Sequence, residues 1–118
     1  MKRGPLFESR LAAFFSRTLN IPVERRVMGG VRDKGDLAGI PDWVIEAKNV
    51  TISGLGQAMN EAKREAVNAR ARYFAAILNR RSHGLERSYA VLELWELGEL
   101  IADQLELAAL RAGSGMAS

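Results

Sequence analysis

The stretch Gly35-Asp36-Leu37-Ala38-Gly39-Ile40-Pro41-Asp42-Trp43-Val44-Ile45-Glu46-Ala47-Lys48-Asn49 decides how the chain folds. Val44 and Ile45 are β-branched and Gly39-Ile40-Pro41-Asp42 is turn chemistry, so the stretch reads as two antiparallel strands joined by a short connection. With the turn centred on Pro41, Asp36 falls opposite Glu46. Directly opposed residues have Cα atoms ~4.5–5.5 Å apart and share a face, so the two carboxylates converge. Lys48 lies two residues past Glu46 and points to the same face, roughly 7 Å further along. An apolar run with two acids and an amine on one face is poor core design and good site design.

Converging carboxylates call for a cation. Hard divalent ions take oxygen ligands, and Mg²⁺ is commonly held by one or two carboxylates with waters and substrate phosphates completing the shell. Such an ion polarises a phosphoryl oxygen and lowers the pKa of a bound water, while a neighbouring lysine orients that water or stabilises developing charge. Asp36 followed by Glu46-Ala47-Lys48 resembles the PD-(D/E)xK nuclease superfamily, and the whole stretch looks most like small phage-type Holliday junction resolvases within it. The resemblance covers most of the chain up to about Leu92. It implies an α/β, restriction-endonuclease-like αβββαβ core and a Mg²⁺-dependent endonuclease, with Mn²⁺ as a substitute. Asp36 and Glu46 would then be metal ligands together with the Ala47 backbone carbonyl, and Lys48 would position the attacking water. The implied substrate is branched DNA such as a four-way junction, and the implied assembly is a homodimer.

Length and composition fit that reading without requiring it. The 118 residues suffice for one core, expected over residues 1–112, with 113–118 small and polar enough to form a disordered tail. With no cysteine, thiolate metal sites and disulfides are excluded. No apolar run approaches the ~20 residues of a membrane span, and the amino terminus lacks the apolar core of a signal peptide, so a soluble, cytoplasmic protein is expected. The net charge of +3 hides an asymmetry: residues 1–92 hold 16 Lys/Arg against 9 Asp/Glu, and residues 93–111 hold one Arg against five acids. The basic part contains the motif. A segregated positive surface suits phosphate backbones, although solvated charge alone also accounts for it.

In chain order, Pro5 to Asn20 is predicted helical, with Phe7, Leu11, Phe14 and Phe15 as the stripe that lies on a sheet. Glu8 sits beside that stripe. An acid near a helix start needs no function; the resemblance makes it the candidate that completes the metal site. Val23 to Met28 is the expected first strand. Arg25, Arg26, Arg32 and Lys34 then lie within one short hairpin of the proposed metal and are candidate DNA-phosphate contacts. Asp42 is set aside as a ligand because four strand residues separate it from Glu46, roughly 13 Å; Asp33 is set aside as a loop residue facing the other way.

Ser53 is the expected N-cap of a second helix running to about Arg72, whose inner face is Leu55, Ala58, Met59, Ala62, Ala66 and Ala69. Its outer face carries Lys63, Arg64, Arg70 and Arg72 opposed by Glu61 and Glu65, read as solvated i,i+4 pairing. Gln57 is a candidate for positioning substrate or water by resemblance, and otherwise an exposed glutamine. Tyr73 to Leu78 is continuously apolar, the pattern of a central strand covered on both faces. The basic turn after it offers Arg80 and Arg81 to DNA, and His83, the only histidine, is read as a turn residue with no role. Tyr89 to Leu92 is a last strand. In the final helix, Leu94, Leu97, Ile101, Leu105 and Ala108 are expected inside and Glu96, Glu99, Asp103 and Glu106 outside. Trp95 and Leu100 widen that stripe, which leaves room for a second copy. Two rival readings stay open: a nuclease of the same core with a nicking, repair or flap target, and a non-catalytic DNA-binding module in which Glu46 and Lys48 form a plain buried ion pair.

Overall fold

A computed structural model describes residues 4–26, 35–49 and 52–117. Helix α1 (Gly4–Leu19) buries Phe7 and Leu11 and stops at Asn20, whose φ of 55° is the left-handed conformation that asparagine tolerates well. The Ser16 hydroxyl then clamps the chain, donating to the Val23 carbonyl at 3.0 Å and accepting the Val23 N–H at 2.9 Å. Strand β1 (Glu24–Arg25) pairs antiparallel with β2 (Leu37–Ala38) as a two-stranded ribbon. Both are shorter than the sequence suggests, and Val27, Met28, Arg32 and Lys34 lie outside the described residues. Gly39 has φ 112°, and a Cβ there would lie 2.3 Å from the Pro22 carbonyl oxygen, so only glycine lets the turn after β2 close against the start of β1.

Strand β3 (Trp43–Lys48) runs parallel to β4 (Tyr73–Leu78), with Trp43 beside Tyr73 and Lys48 beside Leu78; β5 (Tyr89–Val91) adds antiparallel to β4. The result is a mixed three-stranded sheet with β4 in the middle and buried along its whole length, as its unbroken apolar run requires. Alternation sorts the two faces. Ile45, Ala75 and Ile77 pack with Phe7 and Leu11 of α1, whereas Val44 and Phe74 pack with Ala62 and Ala66 of α2 (Leu55–Ala69). The hairpin expected between residues 36 and 46 is not a full ladder: β2 pairs with β1, and the Asp36 N–H donates to the Ile45 carbonyl at 3.0 Å.

Helix α2 departs from expectation at both ends. Ser53 lies within a short 3-10 turn (Ile52–Gly54), and the N-cap is Gly54 without a side-chain hydrogen bond. The helix ends at Ala69 rather than Arg72, because Arg70 turns left-handed (φ 53°) and the chain is captured by Asp42. The Asp42 carboxylate accepts the Arg72 N–H at 2.8 Å and its carbonyl accepts the Tyr73 N–H at 3.0 Å. Asp42 is thus the latch between the starts of β3 and β4.

The last helix, α3 (Leu94–Ala117), continues through the segment whose composition suggested a tail, and it is docked the other way round from its sequence pattern. Glu96 is 0% exposed. It takes the N3 place of a capping box, accepting the Glu93 N–H at 2.9 Å, and its other oxygen accepts the Phe74 N–H at 2.8 Å, a donor of β4 beyond the end of the short β5. Glu99 pairs with Arg72 and accepts the Tyr73 hydroxyl at 3.0 Å; these bonds hold its carboxyl below the usual range and raise the Arg72 pKa. Trp95 stacks on Tyr73, which stacks on Trp43. The face expected outside is therefore the docked one, while Leu94, Leu97, Ile101 and Leu105 are exposed. Among the described residues no helix is long and apolar enough to cross a membrane.

Candidate active site

The chemistry-bearing side chains gather on the second half of β3. Glu46 and Lys48 come from β3 itself, Asp36 arrives just before β2, and α2 crosses the sheet to add Glu61 and Glu65. Asp36 is fixed twice: its N–H reaches the Ile45 carbonyl, and its carboxylate accepts the Ala47 N–H at 2.7 Å. These bonds fix Asp36 to the backbone on either side of Glu46, but the carboxylates that gather with that of Glu46 are those of Glu61 and Glu65 rather than the expected Asp36 and Glu8. A residue's amide and carbonyl leave a strand on the same side, so the Ala47 carbonyl also faces the Asp36 side.

Glu46 is 3% exposed. One of its oxygens lies 3.8 Å from the Lys48 ammonium, and the other, Oε1, is buried with no hydrogen-bond donor. A carboxylate taken out of water without full compensation is costly. Lys48 has a nearer partner, the Glu61 carboxylate at 2.6 Å. Carboxylate oxygens of Glu46, Glu61 and Glu65 lie within 4.8 Å of one another, a set of hard oxygen donors of the kind that suits a divalent cation.

Glu61 and Glu65 correct the reading of α2 as a helix with its acids in solvent. Glu65 is buried and Glu61 half-buried. The signal was present in the spacing: Ala58, Glu61, Ala62, Glu65, Ala66 and Ala69 follow one helical stripe, so the two acids share the alanine face that meets the sheet. Lys63 and Arg64 are exposed. Gln57 is exposed, one turn before Glu61 on the same stripe.

Glu8 on α1 is half-buried and close enough to the site to feel it. Desolvation raises its pKa above the ordinary 4.5, the Asp36 charge raises it further, and Arg25 and Lys48 pull it down. The charges of Arg25 on β1, Asp36 just before β2 and Lys48 on β3 therefore all act on Glu8 of α1.

The basic residues divide. Arg25 faces Glu8. Arg26 is turned onto the Leu37 carbonyl at 3.5 Å, with its Nε buried, so it braces the β1–β2 ribbon rather than reaching outward. Arg80 lies over the Tyr89 ring at 4.3 Å and donates to the Arg87 carbonyl at 3.2 Å, while Arg81 is exposed. His83 Nδ1 is 2.8 Å from the Arg81 carbonyl and its Nε2 is 3.2 Å from Arg80, the partners of a turn residue. A cavity lined by Arg26, Asp42, Trp43 and Arg70 opens at the opposite, amino end of β3, away from the acids.

Comparison of the chain with protein-family models, with curated proteins and with solved structures gives no significant match.

Proposed function

We propose that this chain is a metal-dependent DNA endonuclease of the PD-(D/E)xK kind that hydrolyses phosphodiesters in branched DNA, four-way junctions in particular. The observation that carries the reading is Glu46: a buried carboxylate with one oxygen lacking a donor, beside Lys48, Asp36 and two further acids. Three clustered carboxylates, those of Glu46, Glu61 and Glu65, beside one lysine leave a surplus of negative charge that a cation would neutralise.

Asp36 and Glu46 would hold Mg²⁺ or Mn²⁺, with the Ala47 carbonyl and Glu8 beside them; when bound, the ion supplies polarisation of the phosphoryl oxygen and acidification of water. The chain's own residues do the rest. The Ala47 N–H keeps the Asp36 carboxylate in place. Glu61 holds the Lys48 ammonium next to Glu46, from where Lys48 orients the attacking water and stabilises charge developing on the phosphate. Arg80 and Arg81 follow directly on Asn79, whose N–H donates to the Lys48 carbonyl at 3.1 Å, so the basic turn flanks the same edge and suits a second stretch of phosphate backbone.

A second reading is favoured by one observation: the Lys48–Glu61 pair at 2.6 Å is the contact a purely structural ion pair makes. In that case the domain binds DNA without cutting it. A four-way junction incubated with the protein and Mg²⁺ separates the readings. Symmetric nicks support the proposal, cutting of flaps, ends or nicked duplex alone supports another nuclease target, and binding without cutting supports the module. Glu46→Gln is the control and is expected to end cleavage while preserving or strengthening junction binding.

A further inference from the structure

The cavity at the amino end of β3 takes no part in the proposed cleavage. It encloses about 340 Å³, at the lower end of the ~300–1,000 Å³ that small-molecule sites span. Five strand residues separate Trp43 in its wall from Lys48, roughly 17 Å, so it is a place apart from the acidic cluster. Three segments build the wall: Arg26 just after β1, Ile40, Asp42 and Trp43 at the turn into β3, and Arg70 where α2 stops.

The charged groups of this wall have few partners of their own. Neither Arg26 nor Arg70 forms an ion pair among the described residues. Arg26 reaches the Leu37 carbonyl at 3.5 Å, and its Nε is buried without an acceptor, which costs free energy for as long as no acceptor is present. Arg70 is exposed, and its left-handed backbone brings its own N–H onto the Val67 carbonyl and the Ala71 N–H onto the Ala66 carbonyl. The end of α2 thus covers two of its last carbonyls and delivers a guanidinium to the cavity. Asp42 is the one acid of the wall. One of its oxygens accepts the Arg72 N–H, and a carboxylate has further lone pairs to offer. Two guanidiniums against one carboxylate leave a single net positive charge.

Trp43 decides what kind of anion fits. Its indole is half-buried, stacks on Tyr73 with ring centroids 4.9 Å apart, and lines the cavity. We propose that the cavity binds one unpaired nucleotide of a nucleic-acid strand, with the base against Trp43, a base amino group on Asp42 and the phosphodiester on Arg26 and Arg70. A phosphodiester carries one negative charge, which the surplus of the wall matches, and the arginine fork suits its paired oxygens. Stacking on an aromatic ring needs a bare base face, which a base inside a duplex lacks. None of these contacts uses a 2′-hydroxyl, so DNA serves as the probe.

This assignment goes beyond the cleavage reading and stands without it. Binding is measured in EDTA, where no divalent ion supports cutting, so its failure leaves that reading intact and a failure to cut leaves this one intact. Trp95→Phe makes Trp43 the only indole. In that background single-stranded oligodeoxyadenylate is expected to quench the fluorescence, and a long DNA duplex and inorganic phosphate are not. Free deoxyadenylate, a monoester, is expected to bind more weakly than the strand. Arg70→Asn, which suits the left-handed backbone, is expected to weaken strand binding ~10-fold, the loss of one charge-assisted bond. Lys63→Gln, an exposed cation outside the cavity wall, is expected to weaken it ~2-fold at most. Arg26→Lys keeps the charge without the fork and is expected to weaken it as well, which gives a second reading should Arg70→Asn lower the melting temperature. No strand binding, binding that leaves Trp43 unquenched, equal quenching by the duplex, tighter binding of phosphate or free deoxyadenylate, or equal losses in Arg70→Asn and Lys63→Gln each overturns the proposal.

Discussion

The Asp36 carboxylate accepts the Ala47 N–H at 2.7 Å, which ties the acid to the backbone between Glu46 and Lys48. The same bond separates structural from chemical roles. Asp36→Asn retains an oxygen that can accept that N–H, so folding is expected to survive while cleavage falls by at least ~10²-fold through loss of the ligand charge. Asp36→Ala strands the amide as well and is expected to lower stability by ~1–3 kcal/mol in urea titration.

Glu46 with its unmatched oxygen makes the metal-free fold store electrostatic cost. Mg²⁺ or Mn²⁺ is expected to raise the melting temperature of the wild-type protein, by mass action on the folded state, and to do so far less in Glu46→Gln. Without metal, Glu46→Gln is expected to melt at or above the wild-type temperature. Differential scanning fluorimetry with and without the ion checks both.

In the proposed reaction Glu61 would act through Lys48, to which it is hydrogen-bonded at 2.6 Å. Glu61→Gln frees the ammonium and is expected to reduce kcat by ~10–100-fold with little change in junction affinity, the range typical of residues that orient a ligand or catalytic group. A drop in affinity with kcat intact would place Glu61 in DNA binding instead.

For Glu8, burial and the Asp36 charge raise the folded pKa above 4.5. An acid whose folded pKa is raised stabilises the fold while protonated: the contribution is complete below the unfolded value and is lost as pH rises through the folded one. In metal-free buffer the wild-type melting temperature is therefore expected to decline across that window more steeply than that of Glu8→Gln. Thermal melts taken from pH 4 upward provide the comparison.

Glu96 satisfies two buried backbone donors, from Phe74 and Glu93. Glu96→Ala is expected to cost ~2–4 kcal/mol, since each stranded group costs ~1–3. Glu96→Gln, which keeps one acceptor oxygen, should cost less. Chemical denaturation of the two variants distinguishes them.

The motif strand was legible because β-branched residues, a Gly-Pro turn and an alternating acid–amine pair all favour the same conformation. The apolar run of β4 was legible for a similar reason, since six consecutive buried residues fit only a central strand. Glu61 and Glu65 were not, because Lys63 and Arg64 beside them offered a ready surface pairing, and only the alanine stripe reveals that the acids face inward. The docking of α3 was beyond periodicity altogether. A pattern of leucines identifies an apolar face but does not say whether the chain's own body or another molecule meets it. Here the hydrogen-bond needs of Phe74 and Tyr73 drew the acidic side inward.

The parallel pairing of β3 with β4 divides the molecule along its length. The three acids of the cluster, Glu46, Glu61 and Glu65, precede Arg70, yet β3 is braced on its far side by a strand that begins only at Tyr73. A fragment ending before that strand would carry these acids and Lys48 and have no β4 to hold them in register. During synthesis the acidic face therefore takes its shape only when the late strand zips onto the early one.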